Sequence, residues 1–252
     1  MMIAFYTLFK KEILRFWKVG FQTLTAPILT ALMYQMIFAQ VMSQHADVFP
    51  GVSYVVFLIP GLMMMSMTQN AFANGSSSLI QAKIMGNIIF LLLPAITPMA
   101  FLNAYVGAAI VRGLVVGVGV FLATCWVGLP IPAEPLWLLI FAFLGCGVLG
   151  CLGVIAGIWA DKFDQLAAFQ NFLIMPLTFL SGVFYSIHTL PPFWQFISHY
   201  NPIFYMIDGF RYGFFAHSDL SPLHSLTVVG VAFVLVYGLA WKMIASGYKL
   251  RS

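Results

Sequence analysis

The chain has 252 residues, of which 62% are hydrophobic and only 7% charged, with a formal net charge of +4. Soluble domains carry roughly 25% charged residues, so a soluble globular fold is excluded, and with it any sizeable soluble catalytic domain. The basic residues stand at the ends of apolar runs rather than in one patch, which argues against a nucleic-acid partner.

Residues 3–18 read as an amphipathic interfacial helix. Tyr6, Phe9, Ile13 and Phe16 recur at helical spacing, while Thr7, Lys11, Arg15 and Lys18 make a second stripe. Such a helix lies along a membrane surface with Trp17 at headgroup level; the plainer alternative is a charged flank with no role of its own. No small-residue cleavage site follows a short apolar core, so the segment is not read as a signal peptide.

A spanning helix takes about 20 apolar residues. Six such runs follow, over about 20–41, 54–74, 99–126, 135–160, 166–185 and 225–245. The expected fold is an all-α integral membrane protein, a single domain in which 1–19 is the interfacial helix and 20–252 a six-span bundle. Pro27, Pro60 and Pro176 lie inside or at the edges of spans, where proline kinks a helix or frees a carbonyl.

With the N-terminus in the cytoplasm, Lys10, Lys11, Arg15, Lys18, Lys83, Lys162, Lys242, Lys249 and Arg251 fall on the inner side. Arg211 alone then falls outside and Arg112 lies within a span. This bias predicts that both termini are cytoplasmic. The loops 43–53, 127–135 and 187–223 then face outward and hold Asp47, Glu134, Asp208, Asp219 and the histidines. His217, Asp219 and His224 match no metal-ligand spacing and read as a polar interfacial loop.

Gly113 and Gly117, Gly153 and Gly157, and Ala142, Cys146 and Gly150 repeat small residues at a four-residue step. That step lets helix backbones approach closely, within one subunit or between two. Cys125, Cys146 and Cys151 match no zinc or haem pattern and read as small packing residues. No phosphate-binding loop, nucleophile elbow or His-Glu-x-x-His pair is present. An ion-coupled carrier keeps acids or histidines deep in the membrane; none is placed there, and no internal repeat is evident.

Arg112 is the one ionisable residue clearly inside a span, about 18 Å from its start by helical rise. It should face protein or a water-filled cavity. Its role is either contact with an anionic substrate or headgroup, or a structural bond to helix carbonyls or a side chain such as Asn103. Past residue 174 the apolar run meets Ser181-Gly182, then Pro191-Pro192, then aromatic sequence that never resumes a clean span. Non-helical backbone at membrane depth is tolerated only where protein or water satisfies it, so residues 191–212 are expected to form a re-entrant hairpin on the outer side.

The order Pro-Leu-x-Phe-Leu-Ser-Gly-Val-Phe-Tyr from Pro176, Leu-Pro-Pro from Leu190, then Asn-Pro-Ile-x-Tyr-x-Ile-Asp-Gly-x-Arg from Asn201 resembles the permease subunits of type-2 ABC exporters, in particular the small bacterial inner-membrane ones. Ile59-Pro60-Gly61-Leu62-Met63 and Asn70-Ala71-Phe72-Ala73-Asn74 extend the likeness along the chain. The resemblance implies an exporter permease in the bacterial inner membrane, working as a homodimer among lipids with a separate ATP-binding subunit. ATP and Mg would sit on that partner, so this chain is expected to bind no cofactor and to catalyse nothing itself. In the family a coupling helix follows the second span. Here Lys83, Asn87, Leu91 and Leu92 fit that pattern, whereas Gly86, Ile89 and Phe90 stand where a base and two acids are common; the alternative is that Ile88–Leu93 dips into the membrane.

Asp161 and Asp164, in the short loop after the fourth span, are a second candidate ATPase contact, or else solvated helix-capping acids. Phe179, Phe184, Tyr185, Phe193 and Trp194 are candidate wall or gate residues, since apolar rings exclude ions and water from a constriction; an interfacial aromatic belt is the alternative. The rival to the exporter is a membrane scaffold or assembly protein that transports nothing, which the altered coupling stretch would suit.

Overall fold

Proline sets where many of the helices begin. Pro98, Pro135, Pro192, Pro202 and Pro222 each occupy the first turn of a helix, where the missing N–H has no partner to lose and φ is already helical. The structure is a computed structural model that describes residues 2–42, 51–92, 96–127 and 131–250. His45, Asp47, Leu93, Pro94 and Arg251 lie outside the described residues, as does the side chain of Leu92.

In chain order the helices are α1 (Met2–Lys18), α2 (Gly20–Met42), α3 (Tyr54–Ile84), α4 (Ile88–Leu92), α5 (Pro98–Thr124), α6 (Pro135–Trp159), α7 (Phe163–Phe169), α8 (Met175–Phe179), α9 (Pro192–Ser198), α10 (Pro202–Phe215) and α11 (Pro222–Ser246). Among the described residues, α3, α5, α6 and α11 are long and apolar enough to cross a membrane, with mean hydropathies of 1.4, 2.2, 2.6 and 2.0.

Helix α3 is the central column, packed most extensively against α6 and α5. The small-residue steps make this possible within one chain. A Cβ on Gly153 would overlap the Phe72 carbonyl, and one on Gly157 would sit 3.0 Å from the Ser76 oxygen. Gly113 and Gly117 stand in the same way against Met67. The hydroxyls of Thr68, Ser76 and Ser77 donate to carbonyls one turn back at 2.6–2.8 Å, so α3 carries these hydroxyls with their donors paired. For that reason it runs on to Ile84, ten residues beyond the span read from hydropathy.

The fifth run also differs from expectation. It is helical over residues 163–179, not to 185, and includes a π turn at Gln170–Ile174 where the Met175 N–H bonds Gln170 O. Pro176 follows and has no N–H to give, so the ladder widens just before it. The helix ends at Leu180, and Gly182 turns the chain at φ +74°.

Much of the stretch 191–212, expected as a re-entrant hairpin on the outer side, packs against the long helices. Helix α10 packs on α6, α11 and α3, with Gly209 against the Phe141 ring and Gly213 against Leu138. Asp208 and Arg211, expected on the outer side, are both 1% exposed. The Arg211 guanidinium lies 3.8 Å from the Phe57 ring centre and donates to Gly182 O at 2.9 Å and Val183 O at 3.3 Å. Asp208 accepts from the Asp219 and Leu220 N–H groups, and Asp219 in turn accepts from the Ser186 hydroxyl and the Ile187 N–H. Asn201 caps α10 and donates to Leu177 O at 2.6 Å. The motif from Asn201 to Arg211 therefore knits the turn after α8 to the loop before α11.

Candidate functional site

Helix α1 does not simply lie beside the bundle. Its face Leu8, Glu12 and Phe16 is buried against α5 and α3, while Ile3, Tyr6 and Trp17 remain exposed. Glu12 belongs to neither stripe read from the sequence, yet it is fully buried and accepts from Lys11 Nζ at 2.7 Å, Ser78 Oγ at 2.7 Å and Arg15 Nε at 3.2 Å. Arg15 reaches on to Asn74 O at 2.7 Å and Ser77 Oγ at 3.2 Å on α3. The cluster fastens α1 to the far half of α3.

Beside it, a cavity of about 590 Å³ opens between α2, α3, α5 and the π turn. Its α3 wall is Ser66, Gln69, Asn70, Ala73 and Ser77, a polar stripe at three- and four-residue steps; Gln22, Thr23 and Thr30 face it from α2, and Gln170 from the π turn. Arg112 and Arg15 both line it. Arg112 Nη2 donates to Asn70 Oδ1 at 3.1 Å, whereas its buried Nε has no partner among the described residues. Asn103, the partner suggested by sequence, accepts instead from the Tyr237 hydroxyl at 2.6 Å.

The candidate gate aromatics separate into two groups. Phe184 stacks on Phe38 at 4.8 Å and Phe179 at 6.0 Å, with Tyr34 edge-on at 5.2 Å. This cluster joins α2 to the turn after α8, where Tyr185 donates to Phe179 O and Tyr54 to Phe184 O. Phe193 and Trp194 lie elsewhere, on exposed positions of α9, packed on each other at 5.3 Å. Tyr34 and Phe38 were missed in the sequence, where they merge into one apolar run.

At the opposite end, Lys83 and Asp161, expected as separate contacts for a partner, bond to each other at 2.9 Å. Lys83 also donates to Ile158 O and Ala160 O, and Lys249 reaches Asp161 at 2.6 Å and Trp159 O at 3.0 Å. The Lys249 ammonium first, and then Lys83, hold the exposed Asp161 carboxyl below its usual value. This clasp ties the last turns of α3, α6 and α11 together. Asp164 sits exposed in the first turn of α7.

Helix α4 follows the last turn of α3. Ile88 and Leu91 turn inward, Leu91 lining a groove of about 360 Å³ with Lys11, Arg15 and Asn87. Ile89 and Phe90 are 61% and 70% exposed, Phe90 at the edge of the same groove. No group of His, Cys, Asp and Glu with metal-binding geometry occurs among the described residues.

The model of the ABC-2 type transporter family matches residues 3–215. The chain is 38% identical to the inner membrane transport permease YadH of Escherichia coli strain K12 over 251 residues, 99% of this chain and 98% of that protein. The YadH permease of Shigella flexneri matches with the same identity and coverage. A polar-lined cavity in an apolar helical bundle, and a family match that extends over α1 to α10, lead to one assignment: the chain belongs to the ABC-2 type transporter family, as a transmembrane permease subunit.

Proposed function

We propose that this chain is the permease of an exporter in the bacterial inner membrane, working as a homodimer and driven by a separate ATP-binding subunit that carries ATP and Mg. The observation that carries this reading is α4, a short helix at the end of the central column whose Ile89 and Phe90 side chains are largely exposed. Exposed apolar side chains side by side next to basic residues suit a protein contact better than solvent. Force applied there has a direct route inward, because Leu91 and Asn87 share a groove with Lys11 and Arg15, and Arg15 also lines the cavity.

The finer architecture follows the same reading. Helix α2 and the run 163–179 serve as two further spans beside α3, α5, α6 and α11, giving six, with both termini cytoplasmic. Helices α9 and α10 then form a re-entrant hairpin at the outer side, supported by the burial of α10. The cluster around Phe184 closes the path next to the cavity, and Phe193 and Trp194 face the outer lipid–water boundary. Arg112 lines the path.

Tagged protein purified from its native membranes in mild detergent tests the partner. An ATP-hydrolysing activity should copurify, and the pair Ile89→Ala and Phe90→Ala should reduce its recovery. Burying two such side chains is worth about 1.5–3 kcal/mol each, so a loss of at least about tenfold is expected. Full recovery with the double variant would remove α4 as the contact.

A further inference from the structure

The cavity between α2, α3 and α5 carries a charge imbalance that the fold does not resolve. Its lining includes two guanidiniums and no acid. Arg15 is compensated behind the wall by Glu12, but the structure gives Arg112 only a neutral amide oxygen, with Nε buried and unpartnered among the described residues. A cation inside a span without a counter-ion is unfavourable, and a planar guanidinium presents its donors in a fork that fits two oxygens of one anion. The volume, about 590 Å³, lies in the range of sites for small molecules, about 300–1,000 Å³, well beyond a single ion.

The cavity is not closed on all sides. Gln22, Ala26 and Thr30 of its α2 wall are exposed. One turn and two turns past Thr30 the same helix presents Met33 and Ile37, 62% and 54% exposed. A polar recess therefore continues into an apolar track. From these features we infer that the cavity takes the anionic headgroup of an amphiphile, a phosphate or carboxylate held by Arg112, with the alkyl portion lying along α2. The inference rests on the permease reading and names the substrate class of that site.

The test uses the full chain in dodecyl maltoside, with Cys125→Ser, Cys146→Ala, Cys151→Ala and a reporter, Thr30→Cys. Alkylation of the reporter is followed against dodecyl phosphate, dodecanoate, dodecyltrimethylammonium and inorganic phosphate. The two anionic amphiphiles should protect at concentrations at least tenfold below the cationic one. Arg112→Gln should raise those concentrations tenfold or more without raising that of the cationic probe, with Arg112→Lys intermediate. Gln69→Glu, which keeps Arg112 but places a negative charge in the same wall, should do the same, so the result survives if Arg112→Gln fails to fold. Equal protection by the cation, or anion values unmoved by Gln69→Glu, would overturn the site. Protection by inorganic phosphate at the concentration of dodecyl phosphate would overturn the amphiphile. None of these readings needs an ATPase, so loss of the copurifying activity and loss of anion binding are separate outcomes.

Discussion

Arg211 and Arg112 are both arginines among apolar helices, and their surroundings give them different work. Arg211 is closed in: two backbone carbonyls accept from it, a phenyl ring lies under its plane, and Asp208 and Asp219 supply opposite charge nearby. That is a structural cation. Replacing it by methionine leaves the Gly182 and Val183 carbonyls without their donor and two acids without a cation. Breaking such a buried arrangement costs about 3 kcal/mol or more. Arg211→Met should therefore lower the detergent-solubilised protein's melting temperature clearly, and Arg211→Lys should recover part of it. Unchanged melting in Arg211→Met would show that the hairpin is held by packing alone. The sequence pointed to Arg112 because hydropathy isolates a charge within a span. It placed Arg211 in a loop because α10 is short, begins at Pro202 and contains Gly209 and Gly213, features of a turn-rich stretch that only tertiary contacts can turn into a buried helix. Glu12 escaped notice for a related reason: beside two bases it reads as a surface charge, and its burial depends on Ser78, 66 residues away.

At the scale of the elements, hydropathy located the long helices within a few residues, because apolar length is what a span requires. It failed at their polar extensions. The lower half of α3 is as polar as a loop, yet Ser76 and Ser77 bond to its own carbonyls, Ser78 bonds to Glu12, and Gly153 and Gly157 let α6 come close. The small-residue steps allowed packing within a subunit or between subunits, and for Gly113, Gly117, Gly153 and Gly157 the neighbours belong to the same chain. Gly153→Val should then damage folding directly, since the added side chain meets the Phe72 carbonyl; overpacking of this kind costs about 1–3 kcal/mol. Gly230→Ala on α11, where a Cβ would meet nothing within 4 Å, is the matched control. The measurement is the monodisperse fraction on size exclusion after heating, reduced for Gly153→Val and unchanged for Gly230→Ala. Equal behaviour of the two variants would sink the claim that α3 and α6 are in backbone contact.

Across the whole molecule, the polar bonds sort the bundle into two ends. The clasp of Lys83, Asp161 and Lys249 brings the C-terminal turns of α3, α6 and α11 together, and Arg15 brings the end of α1 to the same half of α3. At the other end, Glu134 before α6 bonds Gly213 near the end of α10. Helices α3, α6 and α11 therefore run in the same sense, and the basic residues of α1, α3 and the C-terminal segment gather at one end. Basic loops are retained in the cytoplasm, so this end should face inward. In a background with Cys125, Cys146 and Cys151 replaced, His217→Cys should react with an impermeant thiol reagent added to sealed cells, because that residue is exposed at the α10–α11 connection. Lys162→Cys, exposed between α6 and α7 beside the clasp, should react only after the membrane is opened. Labelling of Lys162→Cys from outside would invert the molecule, and it would put α4 on the side of the membrane where no ATP-binding subunit can reach it.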